Sequence, residues 1–394
     1  MATRAQPKLA SAMSRLGTET AFSVLARARQ LEAQGKSVVH LEIGEPDFDT
    51  PSNIIDAGVK ALRSGFTHYG PSHGLPQLRE AIAENVAKTR GVEASPAEVL
   101  VTPGAKPIMF FTILALCEPG DEVIYPDPGF PIYESMVSFV GAKPVPAPLL
   151  PENEFRVDLD QLEGLISDRT KLLIVNSPQN PTGGVLLRQD IEAIAELVRG
   201  RGIFVLSDEV YKDIMYGDEH FSIVQCPGMK EQTVILDGFS KSYAMTGWRL
   251  GYAVAPVWLT DAMAQLQTNS TSCTAAFTQM AGVEALKGPQ DSVAAMTREF
   301  KERRDLIVKG LNDIEGVSCL SPRGAFYVFP QLEGFDRSGE QIAKELLDEA
   351  GVATLSGTAF GKYGNGSLRL SFANSKENIA EALRRMKAYL EGIR

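Results

Sequence analysis

Three polar segments each follow a stretch of strand character, and together they carry residues suited to chemistry at an amine. They are Asn176–Gly184, Ser207–Tyr211 and Asp237–Gly251. In the third, Lys241 comes just after the strand and Arg249 follows eight residues later. A lysine attacks a carbonyl group only when it is neutral, so it needs a pKa lowered by burial or by nearby cations. The spacing therefore predicts a reactive lysine beside an anion-binding arginine.

The polar residues around Lys241 suit the parts of a phosphorylated pyridine ring. Asp208 can pair with a protonated pyridine nitrogen and keep the ring electron-withdrawing. Asn180 and Tyr211 can hydrogen-bond a phenolic oxygen. Ser240 and Arg249 offer a hydroxyl and a guanidinium fork to a phosphate. A sharp turn that aims Asn180 at such a ligand also predicts a cis peptide bond before Pro181.

A second phosphate-binding element is predicted at Gly104-Ala105-Lys106, which follows a strand and opens a helix. Backbone N–H groups at a helix N-terminus, aided by the helix dipole, bind anions. Phe130, in Asp127-Pro128-Gly129-Phe130, is suited to stack on the ring.

The elements that position these residues alternate between apolar strands and helices. Near-continuous apolar strands of this kind indicate an α/β fold with a mainly parallel sheet covered by helices on both faces. In such sheets ligands bind at the carboxyl ends of the strands. The predicted strands are Val99–Thr102, Glu122–Tyr125, Lys171–Asn176, Ile203–Ser207, Thr233–Asp237 and Leu250–Val254.

The rest of the chain predicts a smaller α+β domain. The large domain is expected over residues 46–290, and the small domain over residues 1–45 together with 291–394. The small-domain elements are expected to be a helix over Phe22–Gln34, strands Val38–Ile43, Ala325–Phe329 and Leu368–Phe372, and helices Asp291–Asn312, Glu340–Glu349 and one from Lys376.

These motifs, in this order, resemble those of fold-type I, pyridoxal-phosphate-dependent class I/II aminotransferases, near the aspartate aminotransferase branch. The resemblance is carried by Asn180-Pro181-Thr182-Gly183, Ser207-Asp208-Glu209-Val210-Tyr211 and Ser240-Lys241-Ser242-Tyr243. It extends from Gly44-Glu45-Pro46-Asp47-Phe48 to Ser367-Leu368-Arg369-Leu370-Ser371, nearly the whole chain.

The resemblance implies pyridoxal phosphate as cofactor and a homodimer with shared active sites. It makes Lys241 the covalent attachment point and proton carrier, and it gives the other residues the following roles. Asp208 pairs with the pyridine nitrogen, the phenolic oxygen is bound by Asn180 and Tyr211, and Phe130 lies against the ring. The phosphate is surrounded by Gly104, Ala105, Lys106, Ser240 and Arg249, and Tyr69 reaches the phosphate of the partner subunit. Arg369 holds the substrate α-carboxylate, together with the Gly44 backbone and Asn180.

The resemblance also bears on the substrate. Lys106 matches a lysine that contacts the distal carboxylate of acidic substrates, and Thr20 offers a hydroxyl beside it. Glu19, however, stands where that branch carries a small hydroxyl residue. Aspartate or glutamate as donor and 2-oxoglutarate as acceptor are expected, with small neutral and aromatic amino acids left open.

Several other enzyme and protein classes differ from this interpretation in what they require of the sequence. A β- or γ-lyase or an aminocyclopropane-carboxylate synthase would share Lys241, Asp208 and the phosphate site. A ligand-sensing domain of a regulator would need an attached DNA-binding module, for which the chain has no basic segment. A nicotinamide dehydrogenase is disfavoured because no G-x-G-x-x-G follows a predicted strand.

Composition excludes several further classes. The 394 residues carry 39 basic and 49 acidic side chains, a net charge of −10, which disfavours nucleic-acid binding. The four cysteines are far apart, which disfavours a zinc site or disulfide framework. The longest apolar stretch, Pro107–Cys117, has 11 residues and is too short for a bilayer. With no secretion signal recognised, a cytoplasmic protein with small-molecule substrates is expected.

Overall fold

A computed structural model describes residues 8–394 of the chain. Within this range the chain forms alternating helices and strands. The α-helices are α1 Thr20–Ala33, α2 Ser52–Arg63, α3 Pro76–Arg90, α4 Lys106–Leu116, α5 Ile132–Val140, α6 Leu159–Leu165, α7 Arg188–Val198, α8 Val257–Ser270, α9 Ala276–Lys287, α10 Asp291–Asn312, α11 Gly339–Glu345 and α12 Lys376–Ile393. The strands are β1 Val39–His40, β2 Val99–Thr102, β3 Glu122–Asp127, β4 Lys143–Pro148, β5 Thr170–Asn176, β6 Phe204–Asp208, β7 Thr233–Gly238, β8 Gly251–Val254, β9 Val317–Ser318, β10 Tyr327–Val328, β11 Gln331–Leu332, β12 Val352–Ala353, β13 Leu355–Ser356 and β14 Leu368–Ser371.

The centre of the molecule is a seven-stranded sheet in the order β2-β8-β7-β6-β5-β3-β4. The strands from β7 to β4 run parallel, whereas β8 is antiparallel to both β7 and β2. The register places Asn176 beside Asp208, and Asp208 beside Leu236. The ends of β5, β6 and β7 therefore lie side by side, as the predicted α/β fold requires.

The sheet forms because its strands are apolar on both faces. All residues of β2, β3, β7 and β8 are buried, and helices cover both sides. The edge strand β4, with sequence KPVPAP, was not predicted. Its three prolines cannot donate to a sheet ladder, but an edge strand pairs on one side only and tolerates them.

Smaller strand pairs lie outside this sheet. Strand β1 pairs in parallel with β12, so the N-terminal segment joins the C-terminal part of the chain. Strand β14 pairs with β10 on one side and β13 on the other. The domain boundaries near residues 46 and 290 stay a prediction.

Most predicted elements agree with the structure to within a few residues, and the differences have local causes. Helix α3 ends at Arg90, because Gly91 adopts a left-handed conformation with φ of 60°. The predicted strand Val38–Ile43 shortens to Val39–His40, and the chain then turns toward the sheet edge. The strand predicted over 325–329 shortens to β10, because Ala325 has a left-handed φ of 55°. The helix predicted over 340–349 begins at Gly339 and ends in a π-helical turn, Leu346–Ala350.

Two further structural findings concern the expectations from composition. All four cysteines are free. Within residues 8–394, no helix combines the length and the apolar character needed to cross a membrane.

Candidate active site

A cavity of about 380 Å³ opens at the carboxyl ends of β5, β6 and β7. Asn176, Asp208 and Gly238 line its floor from these three strands. The structure brings most of the sequence-predicted residues to this one cavity. Those that line it are Thr20, Gly44, Ala105, Lys106, Phe130, Asn180, Asp208, Tyr211, Ser240, Lys241, Arg249 and Arg369, together with Glu19.

Lys241 presents its amine to the cavity from the loop after β7. Its Nζ donates to the carbonyl oxygen of Gly44 at 2.6 Å. Burial lowers the pKa of Lys241 to about 8, and Arg369 and Arg249 act in the same direction against Glu45 and Glu19. A substantial fraction of this amine is therefore neutral near physiological pH, as a nucleophile requires.

Asp208 lies at the end of β6 with its carboxylate buried in the cavity floor. The hydroxyl of Tyr133 donates to its Oδ2 at 2.5 Å, and the backbone N–H of Val210 donates to its Oδ1 at 3.4 Å. Burial raises the pKa of Asp208 to about 6, although these two donors oppose the rise. The carboxylate is thus mostly ionised at neutral pH and has a strong tendency to pair with a cation.

The hydroxyl of Tyr211 and that of Tyr327 share a hydrogen bond of 2.8 Å between their oxygens. Asn180 is held by its backbone N–H, which donates to Oδ1 of Asn176 at 3.1 Å. The Asn180–Pro181 peptide bond is cis, as predicted. Two hydrogen-bonding side chains, Tyr211 and Asn180, therefore face the same cavity from neighbouring loops.

The opposite end of the cavity floor has the character of an anion site. Ser240, Arg249 and the start of α4 meet there. Gly104 has a left-handed φ of 91°, and a Cβ built on it would lie 2.3 Å from a guanidinium nitrogen of Arg249. Glycine at 104 thus lets Arg249 approach the N-terminus of α4, so guanidinium, hydroxyl and backbone N–H groups converge.

Arg369 reaches the cavity from β14 and is buried. Its guanidinium donates to the carbonyl oxygen of Glu42 and, at 3.5 Å, to Oδ1 of Asn180. Its Nε has no hydrogen-bond partner among the described residues. A buried guanidinium without a carboxylate partner is suited to bind a carboxylate ligand.

Lys106 and Glu19 form an ion pair at the outer part of the cavity. The Lys106 ammonium also lies 5.5 Å from the centroid of the Phe130 ring. Thr20 follows Glu19 as the first residue of α1. The Glu19 carboxylate therefore points at the Lys106 ammonium.

Two predicted site residues, Gly104 and Tyr69, do not line the cavity. Gly104 lies against Arg249, whereas Tyr69 lies at the surface. Its side chain is 91% exposed, and it does not line the cavity. Its assignment to the phosphate of a partner subunit stays a prediction.

Sequence reasoning missed three residues of the site, namely Tyr133, Tyr327 and Glu45. Tyr133 lies one residue into α5 and contacts Asp208. Glu45 lines the cavity and accepts a hydrogen bond from Thr246. For Tyr133, the sequence does contain a signal, because it lies three residues after Phe130. A helix that begins beside the residue expected to stack on the ring places its first turn near the same site.

The residues present fit pyridoxal phosphate. The cavity floor has a buried carboxylate at one end, an arginine with a helix N-terminus at the other, and a lysine of lowered pKa above them. These groups complement a pyridinium nitrogen, a phosphate and an aldehyde, respectively.

Comparison with known proteins gives the family. The model of the family "Aminotransferase class I and II" matches residues 36–386. The chain belongs to the class I and II aminotransferases. This confirms the predicted fold class and enzyme class, and members of this family are known to use pyridoxal phosphate.

The names of individual relatives of this aminotransferase give different substrates. It is 42% identical over 372 residues to an aspartate aminotransferase of Pyrococcus abyssi, covering 93% of this chain and 95% of that relative. It is 39% identical to an aromatic-amino-acid aminotransferase of Thermococcus litoralis, covering 91% of this chain and 93% of that relative. Among solved structures, the aspartate aminotransferase of Thermus thermophilus with maleate superposes with a TM-score of 0.93 at 39% identity, covering 98% of this chain and 100% of that one.

Proposed function

We propose that this aminotransferase uses pyridoxal phosphate to move an amino group from aspartate or glutamate to a 2-oxo acid such as 2-oxoglutarate, by a ping-pong reaction. The observation that carries the proposal is the cavity itself, in which Lys241, Asp208, Arg249 and Arg369 meet at the ends of the sheet strands.

Bound pyridoxal phosphate supplies an aldehyde that holds the amino group and a pyridine ring that accepts electrons. Lys241 would hold this group covalently through its Nζ when no substrate is present. A free Nζ of Lys241 would be placed to take the α-proton from the substrate and to return it. Its pKa of about 8 suits both steps, because a general base works best near the ambient pH.

Asp208 stabilises positive charge on the ring nitrogen through its buried carboxylate. Tyr133 holds this carboxylate in place through the 2.5 Å hydrogen bond. Tyr211 and Asn180 would hold the phenolic oxygen of the cofactor by hydrogen bonds. Arg249, Ser240 and the backbone N–H groups at the start of α4 anchor the phosphate.

Arg369 fixes the substrate through its α-carboxylate. A fork of two guanidinium N–H donors matches a carboxylate and sets its orientation. Because amino acid and 2-oxo acid both carry this carboxylate, one arginine serves both halves of the reaction.

The preferred donor follows from Lys106, which is the cation at the outer part of the cavity. A distal carboxylate can bind its ammonium, and relatives named aspartate aminotransferases support this choice. The Lys106–Glu19 pair reduces the positive charge available, so neutral donors should react as well. The aromatic-amino-acid aminotransferase among the relatives favours this second, aromatic or small neutral, class of donor.

The assembly and location complete the proposal. We infer a two-fold symmetric homodimer in which Tyr69 of one subunit reaches the phosphate of the other, because this exposed tyrosine has no role in its own cavity. A cytoplasmic location also stays a prediction.

The direct test is an assay of the purified protein with pyridoxal phosphate, aspartate and 2-oxoglutarate. Formation of glutamate and oxaloacetate is expected, as well as slower turnover with alanine and phenylalanine. Covalent capture of pyridoxal phosphate by the cofactor-free protein should become faster as pH rises through about 8, because only neutral Lys241 attacks the aldehyde. Release of ammonia and pyruvate without any 2-oxo acid acceptor would instead identify a lyase on the same scaffold.

A further inference from the structure

A cluster of buried charged residues lies on the face of the sheet opposite the cavity. Successive residues of a strand point to opposite faces. Leu236 and Gly238 line the cavity and Asp237 between them does not, and Asp208 lines it while Ser207 and Glu209 do not. The cluster therefore lies directly behind the floor of the active site.

Arg90, the last residue of α3, is the centre of this cluster and is 1% exposed. Its guanidinium lies 2.8 Å from Oε2 of Glu209 and 2.8 Å from Oδ2 of Asp237. Glu209 directly follows Asp208, and Asp237 lies near the end of β7, three residues before Ser240. One side chain thus binds the end of β6, which carries Asp208, and the end of β7, which leads into the loop with Lys241.

The other charged and polar groups of the cluster are also tied to site residues. Lys212, which follows Tyr211, lies 2.5 Å from Asp213 and 3.4 Å from Asp237. Ser242, which follows Lys241, donates to Asp213 at 2.7 Å. The remaining partners are Tyr252, whose hydroxyl donates to Asp237 at 2.7 Å, Ser207 and Ser222, which donate to Glu209, and His220, whose Nε2 lies 3.2 Å from Glu209.

Arg90 brings the charges of the cluster close to balance: two positive groups face three negative groups with Arg90, and one faces three without it. Arg90 and Lys212 carry positive charge, whereas Glu209, Asp237 and Asp213 carry negative charge. Burial alone would raise the pKa of Glu209, but Arg90 and His220 reverse this and hold the pKa well below its usual value. The negative charges of Asp237 and Glu209 also act on Asp208, where they add to the rise in its pKa caused by burial.

An ionic cluster of this kind is a poor choice for stability alone. Removing charges from water costs several kcal/mol per ion, and well-packed apolar residues stabilise a core equally well or better. The location of the cluster behind Asp208 and Lys241 indicates a different use.

We propose that Arg90 is a positioning residue of this active site: by clamping Glu209 and Asp237 it aligns the ends of β6 and β7 and balances the negative charge behind Asp208. This inference rests on the proposed function, since the alignment serves the cofactor-binding groups. Arg90 itself does not line the cavity and contacts no reacting atom.

The test compares Arg90→Met, Arg90→Lys and the double variant Arg90→Met/Glu209→Gln with the wild-type protein. Arg156→Met is the matched control, because Arg156 also pairs with a buried carboxylate, Asp190 at 3.0 Å, but lies outside the cavity and the cluster. For each protein, pyridoxal phosphate affinity is titrated by visible absorbance across pH 6 to 9, kcat and KM for the amino donor are measured, and thermal stability is recorded.

Arg90→Met should weaken pyridoxal phosphate binding by roughly tenfold to a hundredfold, the range seen when partners that orient metal ligands are removed. Its kcat should fall while KM changes little, because Arg369 and Lys106 are untouched. The acidic limb of the pH profile of cofactor affinity should move to higher pH, because uncompensated Glu209 and Asp237 favour protonation of Asp208. Arg90→Lys keeps the charge and should restore the acidic limb, and the double variant should restore most of it.

Wild-type behaviour of Arg90→Met in cofactor affinity and pH profile would overturn the inference, even if the variant is less stable. If Arg90→Met does not fold, Arg90→Lys and the double variant decide: both lack the guanidinium that joins Glu209 to Asp237, so their cofactor affinity above the acidic limb should stay weaker than that of the wild type. Equal affinity there in wild type and both variants would also overturn the inference. Losses of the same size in Arg156→Met would indicate a general stability effect and have the same consequence. Failure of the wild-type protein itself to bind pyridoxal phosphate would contradict the proposed function instead.

Discussion

The inner and outer parts of the cavity differ in how their charged groups are held. In the inner part, Asp208 is buried at a strand end and receives hydrogen bonds from Tyr133 and Val210. In the outer part, the ion pair joins Lys106, whose side chain is 47% exposed, to Glu19, whose side chain is 18% exposed. The inner groups are fixed by the sheet, whereas the outer pair lies at the N-termini of α4 and α1 and can rearrange.

This difference separates the reaction from the choice of substrate. A buried, hydrogen-bonded carboxylate and a buried amine have few alternative arrangements, so they determine which type of reaction the site catalyses. A partly exposed ion pair contributes little free energy and adapts to what binds beside it. Substitutions in the inner part should therefore affect all donors alike, and those in the outer part should change their ranking.

The largest effect is expected for Lys241→Ala. The variant should bind pyridoxal phosphate without the visible absorbance band of the lysine-linked cofactor, and turnover should fall beyond the roughly 10²–10⁴-fold attributed to general acid–base catalysis alone. Absorbance spectra and coupled assays with aspartate, alanine and phenylalanine measure this. Lys171→Ala, on β5 and outside the cavity, is the control. A surviving absorbance band with near-normal turnover would refute the assignment of Lys241.

Asp208→Asn should retain the cofactor but lose proton abstraction from every donor. A neutral amide cannot stabilise charge on the ring nitrogen, and loss of an opposite charge changes such a protonation equilibrium by roughly tenfold to a thousandfold. Exchange of the substrate α-proton in deuterated water measures the step directly. Asp190→Asn serves as the control, since Asp190 is also buried but caps α7 away from the cavity. Normal exchange in Asp208→Asn would contradict its role.

The sequence predicted the inner part of the cavity better than the outer part for a physical reason. Asp208 and Lys241 follow apolar strands, and strand ends of a parallel sheet meet at one edge, so their proximity follows from the fold. The Lys106–Glu19 pair joins residues 87 positions apart through side-chain conformations that no local pattern specifies. Tyr133 and Arg90 were missed because their partners, Asp208, Glu209 and Asp237, are set by the tertiary packing of α5 and α3 against the sheet.

Lys106→Ala should lower kcat/KM for aspartate by about tenfold, the lower part of the 1.5–3 kcal/mol range for hydrogen bonds to charged groups, because Glu19 already offsets part of the charge. Alanine and phenylalanine should be affected far less. Steady-state kinetics with the three donors measure the ratio, and each neutral donor is an internal control. An equal loss for all three would place Lys106 in cofactor binding or in the fold.

Tyr69→Phe should weaken cofactor retention by about 1 kcal/mol, the contribution of one hydrogen bond, and should leave the ranking of donors unchanged. Equilibrium dialysis of pyridoxal phosphate measures the loss, and Tyr363→Phe, another exposed tyrosine, is the control. The proposed role of Tyr69 also requires a dimer. Light scattering that finds a fully active monomer at assay concentration would exclude it.

The smallest effect is expected for Glu19→Ser, and it is the most informative about the outer part of the cavity. Removing the carboxylate frees the Lys106 ammonium for a substrate carboxylate, so kcat/KM for aspartate and glutamate should rise. An exposed ion pair is worth about 0.2–1 kcal/mol, which limits the increase to roughly 1.4-fold to fivefold. Glu19→Gln keeps the shape of the side chain and removes only the charge; it should reproduce most of the increase if electrostatics is the cause. A fall in aspartate turnover in both variants would show instead that Glu19 orients Lys106 for its substrate, because an ammonium on a flexible stem is useful to a ligand only when something holds it in place.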